Sequence, residues 1–170
     1  MTFRNLYRKT AIALAVTGAL AGGQVIADDT DTLTVTAVVD ATCDITSVEV
    51  LNFGTLDLVN DATSTADITW VCTNGFDTTI ALNGGVSTDI NNRNMVGASN
   101  GDSLVYQLYT DAGLGTVFGD GVNGGSTVPA SGAGFGNAQI TTVHGQVLAS
   151  NAENVQADTY NDDVTVTIAF

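Results

Sequence analysis

Ser99 and His144 are the residues whose types and order could carry hydrolytic chemistry. Ser99 lies in Gly97-Ala-Ser-Asn-Gly101, the G-x-S-x-G spacing of a nucleophile elbow, and His144 follows it with aspartates between. An elbow needs a strand before the serine, a helix after it and a parallel sheet around both, and none of these is readable here. The segment reads as a Gly/Asn/Ser turn between strands, and His144 as a structural or surface residue of a strand. Gly119-Asp-Gly-Val-Asn-Gly124 has the glycine spacing of a dinucleotide loop. No helix follows it, and Asp120 inside the loop would repel phosphate. Carboxylates that could bind calcium abound, yet no Asp-x-[Asp/Asn]-x-[Asp/Asn]-Gly loop closed by Glu occurs. No catalytic residue, metal ligand or cofactor is assigned.

The two cysteines carry a clearer message. Arg4, Arg8 and Lys9 precede the apolar run Ala11 to Ala21, and Val25-Ile26-Ala27 supplies small residues before Asp28. This is the pattern of a secretory signal peptide over residues 1–27, and the run is too short to span a bilayer. Cys43 and Cys72 both lie in the exported part, where an even count reads as a disulfide. With only two, they pair with each other. The chain-entropy model gives such a loop ~3.6 kcal/mol. No CxxC and no neighbouring histidine favours a metal or redox pair.

Removing 27 of the 170 residues leaves 143, enough for one domain. All 18 carboxylates remain, against one base, Arg93, for a net charge of −17. That excludes a nucleic-acid binder, which needs a basic footprint, and argues against docking on anionic lipid. Arg93 is expected to pair with a carboxylate.

The exported part holds 22 threonines, 18 valines and 16 glycines, and no apolar pattern of helical period. Short alternating runs are separated by Asn-Gly, Gly-Asp and Gly-Gly turn signals, so the fold is all-β. Strands are expected at 32–39, 45–53, 66–72, 78–83, 104–110, 115–118, 138–148 and 163–170. Residues 119–137, with seven glycines and Pro129, read as a long loop. A two-residue turn at Asn74-Gly75 would place Ile80 and Leu82 on the opposite side from Trp70. Either a bulge intervenes or the two strands belong to different sheets. Tyr160, near the start of the last strand, could cap a corner as tyrosines do in β-sandwiches.

The two ends alternate. Val164, Val166, Ile168 and Phe170 share one face of the last strand. Leu33, Val35, Ala37 and Val39 share one face of a strand that follows the polar leader Asp28-Asp-Thr-Asp31. That strand could pair inside its own domain or extend into a neighbouring molecule by strand addition. The residues alone leave both open.

A family resemblance bears on this choice. It is carried by Cys43, Leu51-Asn-Phe-Gly54, Val71-Cys72-Thr, Ala81-Leu-Asn-Gly-Gly85, Arg93-Asn-Met95 and Leu104-Val-Tyr-Gln-Leu-Tyr109-Thr-Asp111. It continues in Phe118-Gly-Asp-Gly121, Val143-His-Gly145, Asp158-Thr-Tyr-Asn-Asp162 and Val164-Thr-Val-Thr-Ile-Ala-Phe170. In this order they resemble the spore coat protein U domain, whose family includes the shaft subunits of archaic chaperone–usher pili. The most specific parts are Tyr-x-x-Tyr-x-Asp and the ending Tyr-x-Asp-x-Val-x-Val-x-Ile-x-Phe.

The resemblance implies an immunoglobulin-like (pilin) sandwich over 43–170 that lacks its final strand and is completed by donor-strand exchange. Residues 28–42 would be the donor extension, with Leu33, Val35, Ala37 and Val39 as inserted knobs. Val164, Val166, Ile168 and Phe170 would edge the acceptor groove and meet the chaperone. The implied partners are a periplasmic chaperone, an outer-membrane usher and related pilin subunits. The implied destination is the cell surface, reached through the periplasm, in adhesion or biofilm formation. The chain departs from the family in its acidity and in its long glycine-rich 119–137 region. Two other readings stand beside this one: a self-contained secreted β-sandwich acting as a coat protein or carbohydrate-binding adhesin, and, more distantly, a small secreted hydrolase using Ser99 and His144.

Overall fold

The computed structural model describes residues 28–170; the signal peptide expected at 1–27 lies outside them. Nine strands form two antiparallel sheets. They are β1 (Cys43–Val48), β2 (Ala62–Cys72), β3 (Asp77–Leu82), β4 (Arg93–Gly97), β5 (Ser103–Tyr109), β6 (Val128–Ser131), β7 (Gln139–Val147), β8 (Tyr160–Asn161) and β9 (Val166–Ala169). One sheet has the order β1-β2-β7-β5-β4-β8, the other β6-β3-β9.

The core follows from period-two alternation. Ala66, Ile68, Trp70 and Cys72 of β2, Leu104, Tyr106 and Leu108 of β5, and Val143 and Val147 of β7 are buried from one sheet. Ile80 and Leu82 of β3 face them from the other. Each large aliphatic buried this way stabilises the fold by about 1.5–3 kcal/mol. Trp70 keeps its polar atom satisfied, with Nε1–H donating to Thr141 Oγ1 at 3.1 Å. Cys43 and Cys72 stand opposite each other in the β1–β2 ladder and are disulfide-bonded, 4.1 Å between Cα atoms. The bond staples the edge strand β1 to the sheet interior.

β2 and β3 lie in different sheets, so the chain changes sheet after Asn74-Gly75 instead of forming a hairpin. Tyr160 does cap a corner: its O–H donates to Gln156 O at 2.7 Å, four residues upstream.

Several expected elements differ. Residues 32–39 form no strand; Leu33 and Val35 are 86% and 82% exposed. The first strand runs Cys43–Val48, not 45–53, with a bulge between Ile45 and Ser47, and beyond it Glu49 N–H still donates to Asp67 O. Residues 115–118 contribute only isolated bridges, Tyr109 with Val117 and Phe118 with Ser126. The last strand begins at Val166, not 163. The glycine-rich region is not all loop, because β6 lies within it. Its Pro129 is tolerated because β6 is an edge strand.

Arg93 departs most from expectation. It is fully buried, and among the described residues its side chain hydrogen-bonds to no carboxylate. Its five N–H groups donate to Asn83 O (3.0 and 2.7 Å), Ile90 O (3.2 Å), Phe118 O (2.8 Å) and Gln107 Oε1 (2.7 Å). Three loop carbonyls and one amide satisfy the fork completely. Burial pushes the guanidinium below its ordinary pKa.

Candidate functional site

β1 is the last strand of one sheet and β9 the last strand of the other. Between these two edges the sandwich is open, and a cleft of about 310 Å³ leads to the core. Val48, Val50 and Leu51 form one wall; Asp163, Val164 and Val166 form the other. Ile68, Leu82, Leu108 and Val143, all buried core residues, make its floor. The cleft therefore opens onto apolar surface that a closed sandwich would cover. One side of β9 carries ladder bonds to β3, from Leu82–Val166 to Thr79–Ala169, and among the described residues no strand pairs with the other side. An unpaired edge over an apolar floor is a template for an added strand.

The wall residues come from irregular chain held by side chains. After β1, Ser64 Oγ donates to Asn52 O at 2.7 Å and keeps residues 49–53 beside β2. Leu51 and Phe53 lie over Gly145, where a Cβ would come within 2.8 Å of Leu51 Cδ2. Tyr106, in the floor, donates its O–H to Asp162 Oδ2 at 2.6 Å. Burial and that bond hold the Tyr106 hydroxyl well above its ordinary pKa.

Of the expected groove-edge residues, Val164, Val166 and Ile168 are half-buried against the core. Phe170 is exposed and meets Phe76 edge-to-face at 6.2 Å between centroids. Of the expected knobs, Leu33, Val35, Ala37 and Val39 are all exposed. The root of their segment is fixed. Thr73 N–H donates to Thr42 O at 2.9 Å, and Thr73 Oγ1 donates to Asp40 O at 3.3 Å.

Ser99 and His144 form no centre. Ser99 sits in the turn between antiparallel β4 and β5, where its N–H donates to Asp158 Oδ2 at 2.7 Å. His144 lies in β7 opposite Thr65 and Tyr109. The elbow's helix and parallel sheet are absent among the described residues. In the Gly119–Gly124 loop Asp120 Oδ1 already accepts the N–H groups of Val122 and Asn123. Among the described residues no group of three or more His, Cys, Asp or Glu side chains could hold a metal, and no helix is long and apolar enough to cross a membrane.

The spore coat protein U domain matches residues 29–167, and the chain belongs to that family. No curated protein sequence matches it. Among solved structures, the CsuC–CsuE chaperone–tip adhesion subunit pre-assembly complex from archaic chaperone–usher Csu pili of Acinetobacter baumannii is similar, with 20% identity and a TM-score of 0.55. The match covers 76% of this chain and 40% of that one, so the chain spans less than half the solved chain's length. A chaperone–tip adhesin complex of CFA/I fimbriae matches at 13% identity and a TM-score of 0.44, over 76% of this chain and 41% of that one. At these identities the likeness is one of fold.

Proposed function

We propose that the chain is a structural subunit of an archaic chaperone–usher pilus, a fimbrial shaft subunit that polymerises by donor-strand complementation. The open cleft between β1 and β9 carries this reading. The chain also possesses a segment suited to such a cleft. Residues 32–39 are uncharged and alternate, and they stay out of every strand. From Leu33 to Val39 an extended strand spans about 20 Å, the same as from Val164 to Phe170. Inserting Leu33, Val35 and Val39 into a neighbour's cleft would remove three large exposed aliphatics from water. Repeated head to tail, such a contact builds an open fibre.

On this reading a periplasmic chaperone occupies the cleft first, and at the outer-membrane usher the next subunit's residues 28–42 replace it. The fibre reaches the cell surface and serves adhesion or biofilm formation, with no catalysis and no cofactor. Its family and the fold likeness to a chaperone–subunit complex support this.

Unboiled SDS gel electrophoresis of residues 28–170 beside residues 43–170 tests it. Heat-sensitive multimers in the longer form only are the expected result. A monomer band in the longer form, with the shorter form unfolded, would show that 32–39 completes its own sandwich. The protein would then be a self-contained secreted coat or adhesin domain.

A further inference from the structure

The cleft wall from Asp162 to Thr165 belongs to no strand. It crosses from β8 in one sheet to β9 in the other. Its Val164 faces an apolar floor, and closing onto Ile68 and Leu82 would hide apolar surface. Something must hold the wall off.

Two polar contacts do so, one at each end. Asp162 Oδ2 accepts the Tyr106 O–H at 2.6 Å, and its Oδ1 accepts Val86 N–H at 2.7 Å. Three residues on, Thr165 N–H donates to Asn83 Oδ1 at 2.9 Å, and Asn83 N–H donates to Thr165 O at 3.1 Å. Both contacts trace back to Arg93. Its guanidinium donates twice to Asn83 O, and its backbone stands opposite Tyr106 in the β4–β5 ladder. Gly85 is fitted to the same arrangement. Its φ is +63°, and a Cβ there would collide with the Asp162 carboxylate.

We propose that Tyr106, Asp162 and Asn83, rooted in Arg93, form a polar clamp that keeps the β9 wall in position to accept an incoming strand. They are positioning residues: they hold the wall rather than contact the strand's ladder. The inference rests on the strand-acceptance reading above.

The test uses the full chain, a fluorescent peptide of residues 28–42 and amide hydrogen exchange. Tyr106→Phe keeps the ring and its edge-to-face contact with Phe53 at 6.4 Å, and removes one O–H. Tyr106→Phe, which loses one charge-assisted hydrogen bond, should bind the peptide about tenfold more weakly than the unaltered chain, and Asp162→Ala, which loses the bonds from both Tyr106 and Val86, should weaken binding by at least as much. Asp162→Asn keeps an acceptor and should stay within about threefold. In the weakened variants, exchange should quicken at residues 164–168 while β2 and β7 keep their protection. Unchanged peptide binding in both weakened variants would overturn the clamp. So would exchange that quickens uniformly over β2, β7 and β9, since that is a general loss of stability. If the unaltered chain binds no peptide, the strand-acceptance reading fails, and the exchange pattern alone decides the clamp.

Discussion

Replacing Arg93 by methionine keeps an unbranched side chain and removes five hydrogen bonds from a fully buried site. Not every acceptor suffers equally. Ile90 O keeps a bond from Gln107 Nε2, and Gln107 Oε1 keeps one from Leu108 N–H. Asn83 O and Phe118 O are left with no donor. An orphaned carbonyl, buried at Phe118 and part-buried at Asn83, costs up to about 1–3 kcal/mol, so the pair costs at most roughly 2–6. Relief from burying an unpaired cation offsets part of this, leaving a loss near 3 kcal/mol out of a total of about 5–15. Trp70 is the only tryptophan and is buried, so its fluorescence reports unfolding directly. With a urea slope near 2 kcal/mol/M, the midpoint should fall by about 1.5 M. Arg93→Lys should lose nearly as much, because one ammonium cannot replace a planar fork that reaches four residues. A midpoint shift below about 0.5 M in both variants would refute the account of Arg93 as the keystone that ties the β3–β4 and β5–β6 loops together.

Three further outcomes are expected. Val35→Asp should abolish the heat-sensitive multimers on unboiled gels and leave the monomer's urea midpoint unchanged, since residue 35 is exposed and outside every strand. Cys43→Ser combined with Cys72→Ser should lower unfolding stability by ~3.6 kcal/mol, read as a lower urea midpoint without heat-stable aggregates. Stability against pH should pass through a maximum on the acid side of neutral at low salt. Asp57, Asp120 and Asp158 are held below their ordinary pKa, chiefly by the Asn60 side chain, the Asn123 side chain and the Ser99 backbone N–H respectively. Their contribution is complete above the ordinary value of 3.8 and is lost as pH falls through their lower folded values. Mutual repulsion of 18 carboxylates acts in the opposite sense and eases as pH drops towards that range. Melting temperature should therefore rise from pH 7 to about 5 and fall below about 3.5, and 0.5 M salt should flatten the rise. A melting temperature independent of salt at pH 7 would refute the repulsion argument.

The strands that sequence alone reveals are those whose inward residues are apolar. β2, β3, β5 and β7 alternate cleanly, and the side taken by Ile80 and Leu82 excludes a simple hairpin after Asn74-Gly75, leaving a bulge or a change of sheet, of which the fold has the second. β4 is hidden because its inward residue is Arg93, the type least expected inside a sandwich. β6 is hidden because Pro129 and the surrounding glycines signal a loop, and only the sheet order shows it to be an edge. Residues 32–39 carry a strand's pattern without being one, because alternation records a face fit for burial and not the partner that buries it. The cleft has no local signal at all. It arises from two edges about 120 residues apart in sequence, and Tyr106 and Asp162 reveal their link only when the sheets are assembled.

The burial of Arg93 also bears on resistance to digestion. Among residues 28–170 it is the only lysine or arginine, so trypsin-like proteases have one bond to cut, between Arg93 and Asn94. That bond lies inside β4, with the guanidinium wholly enclosed. The folded chain presents such an enzyme with no substrate. Its lifetime against digestion is set by how often the sandwich opens, not by how much protease surrounds it.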